Sequence, residues 1–148
     1  MKHIICDLDG TLSLTDHRQH FLEKDPADWD GFFLACGDDL PNWPVIYVLA
    51  ALYEYFEASG EARISIFSGR SDIALDITRM WLAEFEVKYH DLKMRKQGDF
   101  TPDNELKQQW LEEIGQENVL FCIDDRQKVV DMWRQQGLTC FQVASGNF

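Results

Sequence analysis

Apolar residues fall along this chain in two patterns. Short unbroken runs stop abruptly at acids or at a Ser-Gly pair, while longer stretches carry an apolar residue at every third or fourth position. The runs Ile4-Ile5-Cys6, Ile64-Ser65-Ile66-Phe67 and Val119-Leu120-Phe121-Cys122-Ile123 fit strands covered on both faces, as at the centre of a parallel sheet. Helical spacing marks Val45, Leu49, Leu52, Tyr53 and Phe56; then Ile73, Ile77, Trp81, Leu82 and Phe85; then Leu106, Trp110, Leu111 and Ile114; and lastly Val129, Val130 and Trp133. Pro44 opens the first of these helices and Gly60 closes it. Thr101 caps the third, Pro102 is its first residue and Gly115 ends it. Leu92-Lys93-Met94 and Thr139-Cys140-Phe141-Gln142 supply two further short strands. Helices between successive strands make parallel order natural. The predicted fold is α/β: a Rossmann-like three-layer sandwich with a central, mainly parallel five-stranded sheet, as one domain over residues 1–148.

One segment breaks the alternation. Residues 13–43 have weak periodicity and many turn formers, among them Asp25-Pro26, Gly37-Asp38-Asp39 and Leu40-Pro41-Asn42. Short helices around 17–24 and 28–35 are predicted there, as a small insertion after the first strand that lies over the site.

The chemistry collects where the apolar runs stop. The first ends in Asp7-Leu8-Asp9-Gly10-Thr11, and a period of two points Asp7 and Asp9 to one side at the carboxyl end of the strand, where open α/β sheets hold ligands. Carboxylates this close repel unless a cation or a shared proton intervenes. A hard ion such as Mg²⁺ suits them, since it takes a few carboxylates and completes its shell with water and phosphate. The third run ends in Asp124-Asp125, so acids from two strand ends, Asp7, Asp9, Asp124 and Asp125, form the predicted Mg²⁺ site. An ordinary strand-to-turn junction would also use Asp and Gly.

Ser68-Gly69-Arg70 follows the second run. A hydroxyl and backbone N–H groups in a Gly-containing turn cradle phosphate, and Arg70 adds a bidentate clamp. Helix capping by Ser68 or Ser71 uses the same donors. Arg95, in the one basic stretch Lys88 to Lys96, is placed at the rim of the same sheet edge or else on a solvated face. Asp103 and Lys107 stand four apart on one helix. They form a surface ion pair, or they set the ammonium against a transferring phosphate with Asp103 orienting it. Arg18 in the insertion either reaches back to that phosphate or is solvated. His17 and His20 have one-turn spacing but no Cys or His cluster to complete a zinc site.

The formal net charge is −12, from 26 acidic and 14 basic residues. An acidic shell argues against tight nonspecific duplex binding, though not against an enzyme that grips one phosphate locally. The four cysteines lack metal or redox spacing, so buried free thiols in a reducing compartment are expected. Met1-Lys2-His3 enters the first strand at once, and there is no signal peptide or membrane-length apolar run. The expected location is the cytoplasm, with no membrane partner.

Asp7-Leu8-Asp9-Gly10-Thr11, Ser68, Lys107 and Asp124-Asp125 together resemble the four signatures of the haloacid dehalogenase-type phosphohydrolases. Ser68-Gly69-Arg70, the segment from Arg95 to Lys107 with Asp103, and the tail from Asp124 through Phe148 are most similar to phosphatase domains of the bacteriophage polynucleotide kinase–phosphatase type. The resemblance implies that Asp7 is the nucleophile and Asp9 the general acid and base. It places Ser68 and Lys107 in catalysis, and Asp124 and Asp125 at the metal, with Asp125 also in the catalytic set. Arg18, Gly69, Arg70, Arg95 and Asp103 become the substrate shell. The implied activity is removal of a 3′-phosphate from DNA or RNA ends in repair, beside a separate kinase or ligase partner. No Gly-x-x-x-x-Gly-Lys-Ser/Thr loop occurs, so no kinase domain is expected. A phosphatase of the same class acting on a small nucleotide or sugar phosphate, and a noncatalytic module that binds phosphorylated ends, are the alternatives.

Overall fold

The computed structural model describes residues 1–148. Strand β1 (Lys2–Cys6) is followed by a two-residue strand, β2 (Ser13–Leu14). A 3-10 helix (Asp16–Glu23), α1 (Trp29–Leu34) and a further 3-10 turn (Ala35–Asp38) lead to β3 (Leu40–Pro41). Then come α2 (Trp43–Ser59), β4 (Ala62–Ser71), α3 (Leu75–Glu84), β5 (Asp91–Arg95), α4 (Asp103–Ile114), β6 (Val119–Asp124), α5 (Gln127–Gln135) and β7 (Cys140–Gln142). The main sheet runs β5-β4-β1-β6-β7 and every pair in it is parallel.

The three layers follow from side-chain alternation. On one face Ile4, Cys6, Ile64 and Ile66 pack against Val45, Leu49 and Phe56 of α2 and Trp81 and Leu82 of α3. On the other, Ile5, Phe67 and Cys122 meet Leu106, Trp110 and Leu111 of α4 and Val129, Val130 and Trp133 of α5. All four cysteines are buried and free. No helix is long and apolar enough to cross a membrane.

The insertion differs from its sequence reading in one respect. β2 and β3 pair antiparallel, Ser13 with Pro41 and Leu14 with Leu40, and so close its base with a ribbon that no hydrophobic pattern announced. Its own small core of Phe32, Phe33 and Cys36 packs on Ala74, with Phe21, Leu22, Ile73 and Ile77 around it. Two local expectations are also corrected. Ser68-Gly69-Arg70 is not a turn after the strand but part of β4, whose register against β5 jumps between Ser68 and Ser71. Of the two serines offered as caps, Ser71 is the one that caps the 3-10 turn Asp72–Ala74 leading into α3, by accepting from the Ile73 N–H. Pro102 sits at the cap of α4 with extended backbone instead of opening the helix, while Thr101 bonds to Asp99.

Candidate active site

Register brings the acidic ends together. Cys6 pairs with Ile66 on one side and Ile123 on the other, so Asp7, Ser68 and Asp124 emerge at the same edge of the sheet. The Asp7 N–H still donates to the Ile123 carbonyl at 2.9 Å, but β1 has ended. Leu8 O then accepts from the N–H groups of Thr11, Leu12 and Ser13, and the chain turns tightly. Gly10 has φ of +81°, and a Cβ there would collide with the Asp125 carboxylate. A glycine is required because the acid of the β6 end must close over this turn.

The turn separates Asp7 from Asp9, against the expectation that a period of two sets them side by side. That rule holds only in extended backbone. The carboxylates that converge are Asp7, Asp124 and Asp125, all buried, with ligand oxygens within 4.8 Å of one another. Thr11 Oγ1 lies 3.1 Å from Asp7 Oδ2 and 3.3 Å from Asp125 Oδ1. Lys107, carried on α4 and 1 % exposed, donates to Asp7 Oδ1 at 2.8 Å and Asp124 Oδ2 at 3.2 Å. Asp124 also accepts from the backbone N–H of Asp125 and from Trp133 Nε1. Burial, with Asp124 beside it, pushes the Asp7 carboxyl well above its ordinary value although Lys107 pulls the other way. Burial raises Asp125 as well. Three carboxylates against one ammonium leave a surplus of buried negative charge, and all-oxygen donors of that kind suit a hard divalent cation.

Asp9 belongs to a different set of partners. Its Oδ1 accepts from Arg18 Nη2 at 2.6 Å and from Arg70 Nη2. Against the desolvation that burial imposes, these two guanidinia hold the Asp9 carboxyl far below the usual range. Arg18 is fully buried: Nε and Nη2 grip Asp39 at 2.8 and 2.7 Å, Nη1 donates to Phe32 O, and the head lies over the Phe32 ring. Arg70 Nη1 bonds Thr78, while its Nε has no partner.

Sequence reasoning passed over three residues here: Thr11, Arg126 and Asp39. Thr11 had a signal, since it stands four residues after Asp7 in a tight turn. Asp39 had none, because it reads as one more turn former beside Gly37 and Asp38. Yet it is 2 % exposed, faces Arg18, Arg70 and His17, and its carbonyl accepts from Trp81 Nε1. Asp39→Asn removes the charge that faces a fully buried arginine, so it is expected to lower stability by about 3 kcal/mol in urea unfolding. A midpoint unchanged from the parent would contradict this.

At the rim, Arg95 is taken up by carbonyls: Nε donates to Gly69 O at 2.7 Å and Nη1 to Asp99 O and Thr101 O. Asp103 packs so closely on Gly69 that a Cβ there would strike it. Arg95, Lys107 and Arg126 surround Asp103 at 3.7 to 3.8 Å. Ser68 is fully buried, and its Oγ accepts from the Arg70 N–H at 3.1 Å. His17 and His20 share no ligand; His17 bonds Asp39 and His20 its own helix.

Comparison with known proteins gives a consistent result. The family described as the phosphatase domain of polynucleotide kinase PNKP matches residues 1–148. A protein of Autographa californica nuclear polyhedrosis virus, whose name combines polynucleotide kinase with RNA ligase, is 32 % identical over 136 residues, 90 % of this chain and 18 % of that one. A chain of the Pnkp1/Rnl/Hen1 RNA repair complex superposes with a TM-score of 0.80 at 36 % identity, over 99 % of this chain and 43 % of that one. A hydrolase from Streptococcus pneumoniae TIGR4 shares the fold alone, with a TM-score of 0.57 at 18 % identity over 98 % of this chain and 95 % of that one. The chain therefore spans less than half the length of the repair proteins it matches.

Proposed function

We propose, for a chain that belongs to the polynucleotide kinase PNKP phosphatase-domain family and so to the haloacid dehalogenase-like phosphohydrolases, that it removes 3′-phosphates from nucleic-acid ends through a phosphoaspartate on Asp7. One observation carries this reading: the Asp7 carboxylate lies in a buried acidic triad with the Lys107 ammonium 2.8 Å away. Asp7, Asp124 and Asp125 would hold Mg²⁺, which would offset charge on the phosphoryl oxygens. Asp7 attacks phosphorus in line and the P–O3′ bond breaks. Water then attacks the phosphoaspartate and frees inorganic phosphate, so one very slow hydrolysis becomes two displacements. Lys107 keeps Asp7 aimed and, with Ser68, neutralises charge on the transferring group.

Asp9 gives a proton to the leaving O3′ in the first step and takes one from water in the second. Two guanidinia favour its ionised form, so it can serve as an acid only after they shift. A phosphate dianion is a strong arginine acceptor, and Arg70, whose buried Nε has no partner, can turn a donor to it once its side chain moves. Substrate thus draws Arg70 from Asp9, which then takes up a proton from solvent and passes it to O3′ as the P–O3′ bond breaks.

Turnover compared on a 3′-phosphorylated oligonucleotide, a mononucleoside 3′-phosphate and a 5′-phosphorylated oligonucleotide tests the reading. Rapid Mg²⁺-dependent phosphate release, abolished by a chelator, is expected on the first. The net charge of −12 favours the small-substrate alternative, and turnover confined to the mononucleotide would establish it. A kinase or ligase, the activities that the viral relative's name combines, is the expected working partner.

A further inference from the structure

The segment after β7 does not trail away. It wraps the Asp124-Asp125-Arg126 turn: Val143 N–H donates to Asp124 O, Gln142 Nε2 to Asp125 O, and Gln127 N–H to Gly146 O, at 3.0, 3.2 and 2.8 Å. Gly146 lies so close to the Asp125 carbonyl that no Cβ fits. Arg126 Nε then donates to Phe148 O at 2.7 Å, and its guanidinium carbon stands 5.2 Å from the centroid of the Phe148 ring.

A lone exposed aromatic is ordinary on a protein surface. This one is 63 % exposed, yet it is fixed to the loop that carries two of the three triad acids. It is also linked to the nucleophile by a short chain of charges. Arg126 Nη1 is 3.8 Å from Asp103, Asp103 is 3.7 Å from Lys107, and Lys107 is 2.8 Å from Asp7.

We infer that Phe148, backed by Arg126, is a stacking platform for the nucleobase of the phosphorylated terminal nucleotide. The inference rests on the polynucleotide reading above. The base of a 3′-phosphorylated end lies one sugar away from the phosphorus, and the platform requires that a phosphoryl group at Asp7 direct that base toward this rim. An aromatic face with a guanidinium beside it attracts any base, since every base has a π-face and the contact uses no hydrogen-bond code. Recognition is therefore of a nucleoside and neutral to sequence. It also reconciles nucleic-acid binding with an acidic protein: stacking at the end replaces long-range attraction to the backbone.

The test compares kcat/KM, with Mg²⁺, on two 3′-phosphorylated oligonucleotides that differ only in whether the terminal nucleotide carries its base or is an abasic tetrahydrofuran. The parent is expected to prefer the base by about 5- to 150-fold, the range of one base–aromatic stack. Phe148→Ala should bring that ratio to about 1 through loss of the faster substrate's advantage, and Phe148→Trp should keep it. Equal rates in the parent, a preference that survives Phe148→Ala, or a preference that disappears with Phe100→Ala instead would each overturn the platform alone. Phe100 is the comparator because it is 83 % exposed on the loop that Arg95 holds. If neither oligonucleotide is hydrolysed while glycerol 2-phosphate is, the polynucleotide reading fails and takes the platform with it.

Discussion

Asp7→Asn is expected to lower phosphomonoester turnover by about 10⁴-fold or more, the scale on which loss of a covalent nucleophile acts, without loss of the fold. The stability half of this expectation follows from charge. The Asp7 carboxyl is raised by burial and by Asp124, so the folded state binds its proton more tightly than the unfolded state does. A group raised in this way favours folding below its ordinary value of 3.8 and weakens it as pH climbs through the raised value. At neutral pH and without metal, the Asp7 carboxyl therefore costs stability. The amide keeps the shape and removes the charge, while Lys107 retains Asp124 at 3.2 Å and Asp103 at 3.7 Å. The melting temperature of metal-free Asp7→Asn should equal or exceed that of the parent. Retained turnover would rule out the nucleophile; a large fall in melting temperature would refute the charge argument.

Lys107→Met carries the second large effect, with the opposite sign for stability. The side chain is 1 % exposed and is the only ammonium touching Asp7, Asp103 and Asp124. Carboxylates that lose such a partner bear the full cost of burial, about 3 to 5 kcal/mol for a broken buried pair. Protonation relieves the loss, so the deficit should narrow as the buffer is made acidic. Mg²⁺ should narrow it too, by returning positive charge to the same oxygens. Turnover is expected to fall about 10²- to 10³-fold, as when one stabilising donor is removed from a reacting centre. Urea melts across pH, with and without Mg²⁺, measure this; a deficit independent of both would show that Lys107 acts by packing and not by charge.

The sheet was legible because each central strand is an apolar run with a hard stop, and Cys6, Ile66 and Ile123 then fall into register with their following polar residues at one edge. Lys107 and Asp103 were legible from a four-residue helical spacing. The features hidden from sequence reasoning depend on long-range packing. The direction of Asp9 is set by a turn that hydrogen-bonds three N–H groups to Leu8 O. The burial of Arg18 is set by Asp39, 21 residues away in a segment without periodicity. The register jump in β4 that carries Gly69 and Arg70 has no hydrophobic signature either, since both residues suit a turn equally well.

Arg18 keeps Asp39 and Phe32 O as partners even when Asp9 lets go. The segment above the catalytic edge is thus tied together through its interior by a buried arginine. On the proposed mechanism, turnover is expected to be paced by side-chain rearrangement and by escape of the two products. Viscosity and the bulk of the leaving strand should then govern the steady-state rate more than any slow opening of the fold.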